Sequence, residues 1–126
     1  MTIINERRRE IGTAYAVAVG SNEPAAVEAL CAADFVVWHN FDERETNLSA
    51  SGNALAQLHI LVPDIAWTQS TIIASDDGFV WRYVITGSAP GGQLRLPGCI
   101  VAQIRDDRIT RVEEYLDTKQ AKVLRP

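Results

Sequence analysis

The sequence predicts an α+β domain, with helices gathered on one face of a mostly antiparallel sheet, and three observations carry that prediction. Apolar side chains in the front third recur at intervals near the helical period. The back half is a succession of runs rich in valine, isoleucine and aromatic residues, separated by Asp-Asp-Gly and Pro-Gly-Gly, which is strand and turn chemistry. The chain has 126 residues, 47% hydrophobic and 22% charged, which suits one ordinary domain over residues 1–126 and is unlike a disordered segment.

In residues 3 to 20, Ile4, Ile11, Tyr15 and Ala18 form one stripe with Arg7, Arg9 and Glu10 among the polar positions, so this is an amphipathic helix. Gly20-Ser21-Asn22 stops it. Glu23-Pro24 opens a second helix, with proline in the first turn where its missing N–H costs nothing and Val27, Leu30 and Cys31 inside. Phe35 to Phe41 reads as a strand. The polar stretch DERETNLSASGN reads as a loop, Ser51 as the cap of a third helix with Leu55, Leu58 and Leu61 inward, and Pro63-Asp64 as its end. Strands are expected at Ile65 to Ser75, Phe79 to Ala89 and Leu94 to Arg105, paired as antiparallel hairpins. A turn at Asp106-Asp107 leads to a last strand, Ile109 to Asp117, and a short C-terminal helix from Thr118 to Leu124. The order is α-α-β-α-β-β-β-β.

Because the run 79 to 89 is apolar on both parities, the sheet face away from the helices needs a cover, and a homodimer through the back of the sheet is the expected one. Twelve Lys+Arg against sixteen Asp+Glu give a net charge of −4, and Arg7-Arg8-Arg9 is flanked by Glu6 and Glu10. Nucleic acid is therefore not an expected partner, since phosphate binding needs concentrated positive charge. The N-terminal stretch is charged where a signal peptide needs an apolar run, and no stretch of about 18 apolar residues occurs. A cytoplasmic protein without membrane contact is expected. Cys31 and Cys99 sit in apolar settings and read as free thiols. No nucleotide loop, metal-ligand spacing or nucleophile elbow is present, so no cofactor and no metal are expected.

The element order, with AADFVVWHNFD after two helices and RITRVEEYLD near the end, resembles the SnoaL-like branch of the nuclear transport factor 2-like superfamily. Relatives there include ketosteroid isomerase, limonene epoxide hydrolase, scytalone dehydratase and polyketide cyclases. The resemblance implies a cone, in which a curved, mostly antiparallel sheet of the cystatin-like α+β barrel type is wrapped by three helices around an apolar pocket, and commonly a homodimer. Against ketosteroid isomerase, Tyr15 falls on the oxyanion tyrosine and His39 on the proton-shuttling aspartate. The isomerase's second oxyanion donor has no counterpart, because Leu94 to Ile104 contains no acid. Against limonene epoxide hydrolase, VEEYLD points to Asp117 and Arg82 lies on its arginine. Val84 stands where that enzyme has its other aspartate, so its Asp-Arg-Asp set cannot be assembled.

The residues themselves rank as follows. His39, in an apolar strand, carries the side chain best suited to passing a proton at neutral pH, against the alternative of a structural strand histidine. Asn40 faces the other way in a regular strand. Tyr15 is a candidate oxyanion donor or a core tyrosine. On the last strand Glu113, Tyr115 and Asp117 share one face and Val112, Glu114 and Leu116 the other. Asp117 is taken as the catalytic acid, with Arg82 and an acid of that strand as candidate mutual partners. Trp38, Asn40, His59, Trp81, Arg82 and Leu116 are expected to contact the ligand. The function expected is binding of a small hydrophobic molecule of terpenoid, steroid or polyketide type, with cofactor-free isomerisation, dehydration or hydration carried by His39, Tyr15 and Asp117. The alternative is a non-catalytic ligand-binding or assembly protein with the same cone.

Overall fold

A computed structural model describes residues 2–126 of the chain. Helix α1 (Ile3–Gly20) is capped by Thr2, whose hydroxyl accepts the Asn5 amide hydrogen at 3.1 Å. Its buried stripe is Ile11, Tyr15, Ala18 and Val19, while Ile4 lies exposed. Gly12 lets the helix settle onto the sheet, since a Cβ there would come within 2.9 Å of Ile72 and Phe79. Asn22 takes a positive φ of 54°, which ends the helix, and Pro24 opens α2 (Pro24–Leu30) with Val27 buried.

Strand β1 (Cys31–His39) begins directly after α2, earlier than expected, and stops at His39. Part of the stretch that reads as loop is a short strand, β2 (Glu45–Asn47), antiparallel to β1. Helix α3 (Leu48–Leu61) is capped by Asn47 and not by Ser51: the Asn47 Oδ1 accepts the Ala50 amide hydrogen at 2.8 Å. Asparagine and serine cap equally well, so composition alone could not place the start. Strands β3 (Ala66–Ala74), β4 (Gly78–Ala89), β5 (Gly92–Arg105) and β6 (Arg108–Leu116) follow. The chain closes in a short 3₁₀ helix, Gln120–Leu124, within the stretch where a short C-terminal helix is expected.

The sheet has the order β2-β1-β6-β5-β4-β3, antiparallel except for the parallel pair β1 and β6. The β5–β6 turn places both Asp106 and Asp107 at positive φ, 52° and 61°, the geometry whose twist suits a two-residue hairpin. A bulge between Thr68 and Thr71, with Gln69 at φ 52°, bends β3, and the register slips between Cys31 and Val36 in β1. The sheet is thus curved and unclosed. Its concave face carries Phe35, Phe79, Trp81, Tyr83, Ile100 and Val112 into the core beneath the helices. Its outer face carries Trp38 stacked on Tyr115 at 5.4 Å, with Arg111 tied to Glu45 and Glu113. Cys31 and Cys99 are free thiols. No helix among the described residues is long and apolar enough to cross a membrane.

Candidate functional site

Between the concave face and helices α1 and α3 lies a cavity of about 420 Å³. Helix α1 contributes Tyr15 and Val19, and α3 contributes Ala54, Leu55 and Leu58. The sheet supplies Trp67, Trp81, Leu96 and Leu116, and the turn after β1 supplies Phe41 and Asp42. The wall is apolar but for a few groups, and its ionisable residues other than Tyr15 are His39, Asp42 and Glu114. Among the described residues, no group of three or more His, Cys, Asp or Glu is arranged to hold a metal ion.

His39, the last residue of β1, points inward because Val37 and Phe35 do, two and four positions earlier. The parallel pairing sets His39 opposite Glu114 of β6. Their side chains meet, with His39 Nε2 at 2.9 Å from Glu114 Oε1. The other carboxylate oxygen accepts a hydrogen bond from the Tyr83 hydroxyl at 2.5 Å. Tyr83 belongs to β4, two strands from β6, and reaches its partner by lying over Gly98 of the intervening strand. A Cβ on Gly98 would stand 3.0 Å from the Tyr83 ring and 2.7 Å from the Leu116 side chain. Burial and then the Glu114 charge push the Tyr83 hydroxyl pKa far up, so it stays a donor. Burial does the same to Tyr15, with smaller contributions from Cys31 and Glu114. The Tyr15 ring meets Trp81 edge-on at 6.2 Å, and its hydroxyl makes no hydrogen bond to another described residue.

Of the residues singled out by sequence, the structure brings His39, Tyr15, Trp81 and Leu116 together around the cavity. The other five lie elsewhere, each for a local reason. Trp38 alternates with His39 and so sits on the outer face. Asn40 behaves like one more ladder residue: its amide donates to the Leu116 carbonyl at 3.1 Å and its oxygen accepts the Leu116 N–H at 2.9 Å. His59 turns to the end of α1, donating to the Val19 carbonyl at 2.9 Å and packing on Trp67 at 5.6 Å. Arg82 is exposed, since its neighbours Trp81 and Tyr83 take the inward parity of β4, and it cannot reach Glu114 on the other face. Asp117 lies just past β6 and is exposed, where its oxygen accepts the Lys119 amide hydrogen at 3.0 Å and anchors the 3₁₀ turn. The acid of β6 that faces the cavity is Glu114, on the opposite parity.

Glu114, which lines the cavity, and Tyr83, which holds it, are site residues that sequence reasoning missed. Either face of VEEYLD could have been the inner one, and a tyrosine in an apolar strand reads as core. The signal available was Gly98, since a glycine inside a central strand marks a close approach by another group.

The SnoaL-like domain family matches residues 13–112. Among solved structures, an NTF2-like protein from Burkholderia xenovorans superposes with a TM-score of 0.80 at 16% identity, covering 96% of this chain and 98% of that one. A candidate polyketide cyclase from Xanthomonas campestris gives 0.82 at 22% identity, over 94% and 98% of the two chains. A protein with a ketosteroid isomerase-like fold from Catenulispora acidiphila, crystallised in complex with trimethylamine, gives 0.72 at 22% identity over 84% of each. Among curated proteins no significant match exists. With the family profile running from the middle of α1 into β6 and the curved sheet enclosing its cavity, the chain belongs to the SnoaL-like family.

Proposed function

We propose that the cavity binds a compact hydrophobic molecule of terpenoid, steroid or polyketide type and transfers a proton on it without a cofactor, with His39 as the acid/base. The observation that carries the reading is the His39–Glu114 contact at 2.9 Å on the wall of an otherwise apolar cavity. A carboxylate can only accept, so Nε2 carries the hydrogen of that bond and Nδ1 is the nitrogen left to take or give a proton. Glu114 then fixes the ring's orientation and stabilises the imidazolium formed when Nδ1 takes a proton. Tyr15, its hydroxyl kept protonated by burial, donates to an oxygen on which negative charge develops. Isomerisation, dehydration and water addition all fit this pair of roles. Glu114, and not Asp117, is the acid of this mechanism.

Proton transfer can be followed whichever of these reactions the protein performs. Compounds that raise the melting temperature are incubated with the protein in D₂O, and deuterium entry into the ligand carbon skeleton is followed by NMR. The wild type is expected to exchange, and His39→Gln to lose about 10²–10⁴-fold in rate. Binding without exchange in the wild type would establish the alternative, a ligand carrier. The reading further includes a homodimer over the outer sheet face, where Tyr115 is 41% and Ile73 49% exposed. The interface area expected is about 1,600 Å² or less in total. A cytoplasmic setting and no nucleic-acid partner complete it. Sedimentation at micromolar concentration showing a 13.9 kDa species would refute the dimer.

A further inference from the structure

We propose that the ligand of this cavity carries one positive charge, as a protonated or quaternary amine set in a hydrophobic frame, and that anionic ligands of the same shape are rejected. The inference rests on the reading of the cavity as the ligand site and adds the charge of what enters it.

The cavity wall contains the carboxylates of Glu114 and Asp42 and no lysine or arginine. Glu114 is held by two donors, the Tyr83 hydroxyl at 2.5 Å and the His39 ring nitrogen at 2.9 Å. Arg111, on the same strand, is paired with Glu45 and Glu113 on the outer face, and Arg82 of β4 is exposed on that same face. A carboxylate beside apolar surface with no lysine or arginine partner, in a medium of reduced dielectric, favours an incoming cation and opposes an anion. Its influence inside the fold is visible at the tyrosines, whose ionisation it opposes at both Tyr15 and Tyr83.

Aromatic rings supply the rest of the recognition. Tyr15, Phe41, Trp67 and Trp81 all line the cavity. The one polar atom of the Trp81 ring is spent elsewhere, its N–H donating to the Ser70 hydroxyl at 2.5 Å, so this ring brings no hydrogen-bond donor to the cavity. Ring faces carry negative potential and attract ammonium groups, most strongly from tryptophan and when water is excluded. A carboxylate and several rings around one apolar space are therefore complementary to an alkylated ammonium group and to the hydrocarbon attached to it.

Three probes of one phenyl frame separate charge from shape: benzyltrimethylammonium, its neutral isostere neopentylbenzene, and 3-phenylpropanoate. Each is titrated into the full chain at pH 8, and the Trp67 and Trp81 indole signals are followed by ¹H–¹⁵N NMR. The cation is expected to bind about tenfold more tightly than the neutral isostere, and the anion more weakly than both. In Glu114→Gln the preference for the cation over the neutral isostere should shrink to about threefold or less. A neutral or anionic probe binding as tightly as the cation, or a preference that survives intact in Glu114→Gln, would overturn the charge inference and leave the cavity reading standing. If none of the three moves either indole signal, both fall. Should Glu114→Gln fail to fold, the ranking of the three probes on the wild type decides alone.

Discussion

Asn40 occupies the position after His39 and bonds both backbone groups of Leu116 with its side chain, so it continues the β1–β6 ladder where the strand itself has ended. By pinning the residue next to His39 it also fixes the direction in which that ring leaves the backbone. Asn40→Ala removes two half-buried hydrogen bonds and is expected to cost about 1–3 kcal/mol, read as a lower urea midpoint. An unchanged midpoint would show that water replaces both bonds. At this scale the sequence yielded His39 and Tyr15 as cavity residues, because both lie on elements whose periodicity is plain. It did not yield Glu114, because the parity of β6 is set by its register with β1 and β5, which no local pattern encodes. The same ignorance placed Arg82 and Asp117 in the site: each is a chemically able residue one position away from the inward parity.

At the scale of elements, β5 matters for what it lacks. Gly98 leaves a gap over which the Tyr83 ring passes to reach Glu114, so the glycine belongs to the site although it touches no ligand. In Gly98→Ala the new methyl meets the Tyr83 ring and the Leu116 side chain, and the tyrosine must move or the strand must shift. The expected cost is about 1–3 kcal/mol, together with an altered near-ultraviolet circular dichroism signal from the displaced ring. A stable variant with an unchanged spectrum would show that the ring and Leu116 yield without breaking the Tyr83–Glu114 bond. The long elements were legible from sequence, since α1 and the three hairpin strands are strongly patterned and bounded by turn residues. Strand β2 was not, because three residues are too few to display a period, and its role comes only from pairing with β1.

Over the whole molecule, three buried groups hold their protons more firmly than they do in an unfolded chain. Burial raises the Cys31 thiol from an ordinary value of 9.0 to about 12, and raises the Tyr15 and Tyr83 hydroxyls above their ordinary 10.0. Above about pH 9 the unfolded chain therefore releases protons that the folded chain keeps, so it binds fewer of them and stability falls as pH rises. Below that pH the contribution is present in full. The urea midpoint is expected to drop steadily between about pH 9 and 11, with a shallower slope in Tyr83→Phe. A flat profile over that interval would show that these groups ionise as readily in the folded chain as in the unfolded one.

The parallel pair β1 and β6 joins residues from the first third of the chain to its last strand. His39 and Glu114 meet only across that pair, 75 positions apart by their numbering, so their contact forms when β6 joins β1 and not before. A chain emerging from the ribosome can complete α1, α2 and the β3–β4–β5 hairpins while still holding no acid beside its histidine. The His39–Glu114 contact thus arrives with the final strand, in the slow step that long-range pairing imposes on folding.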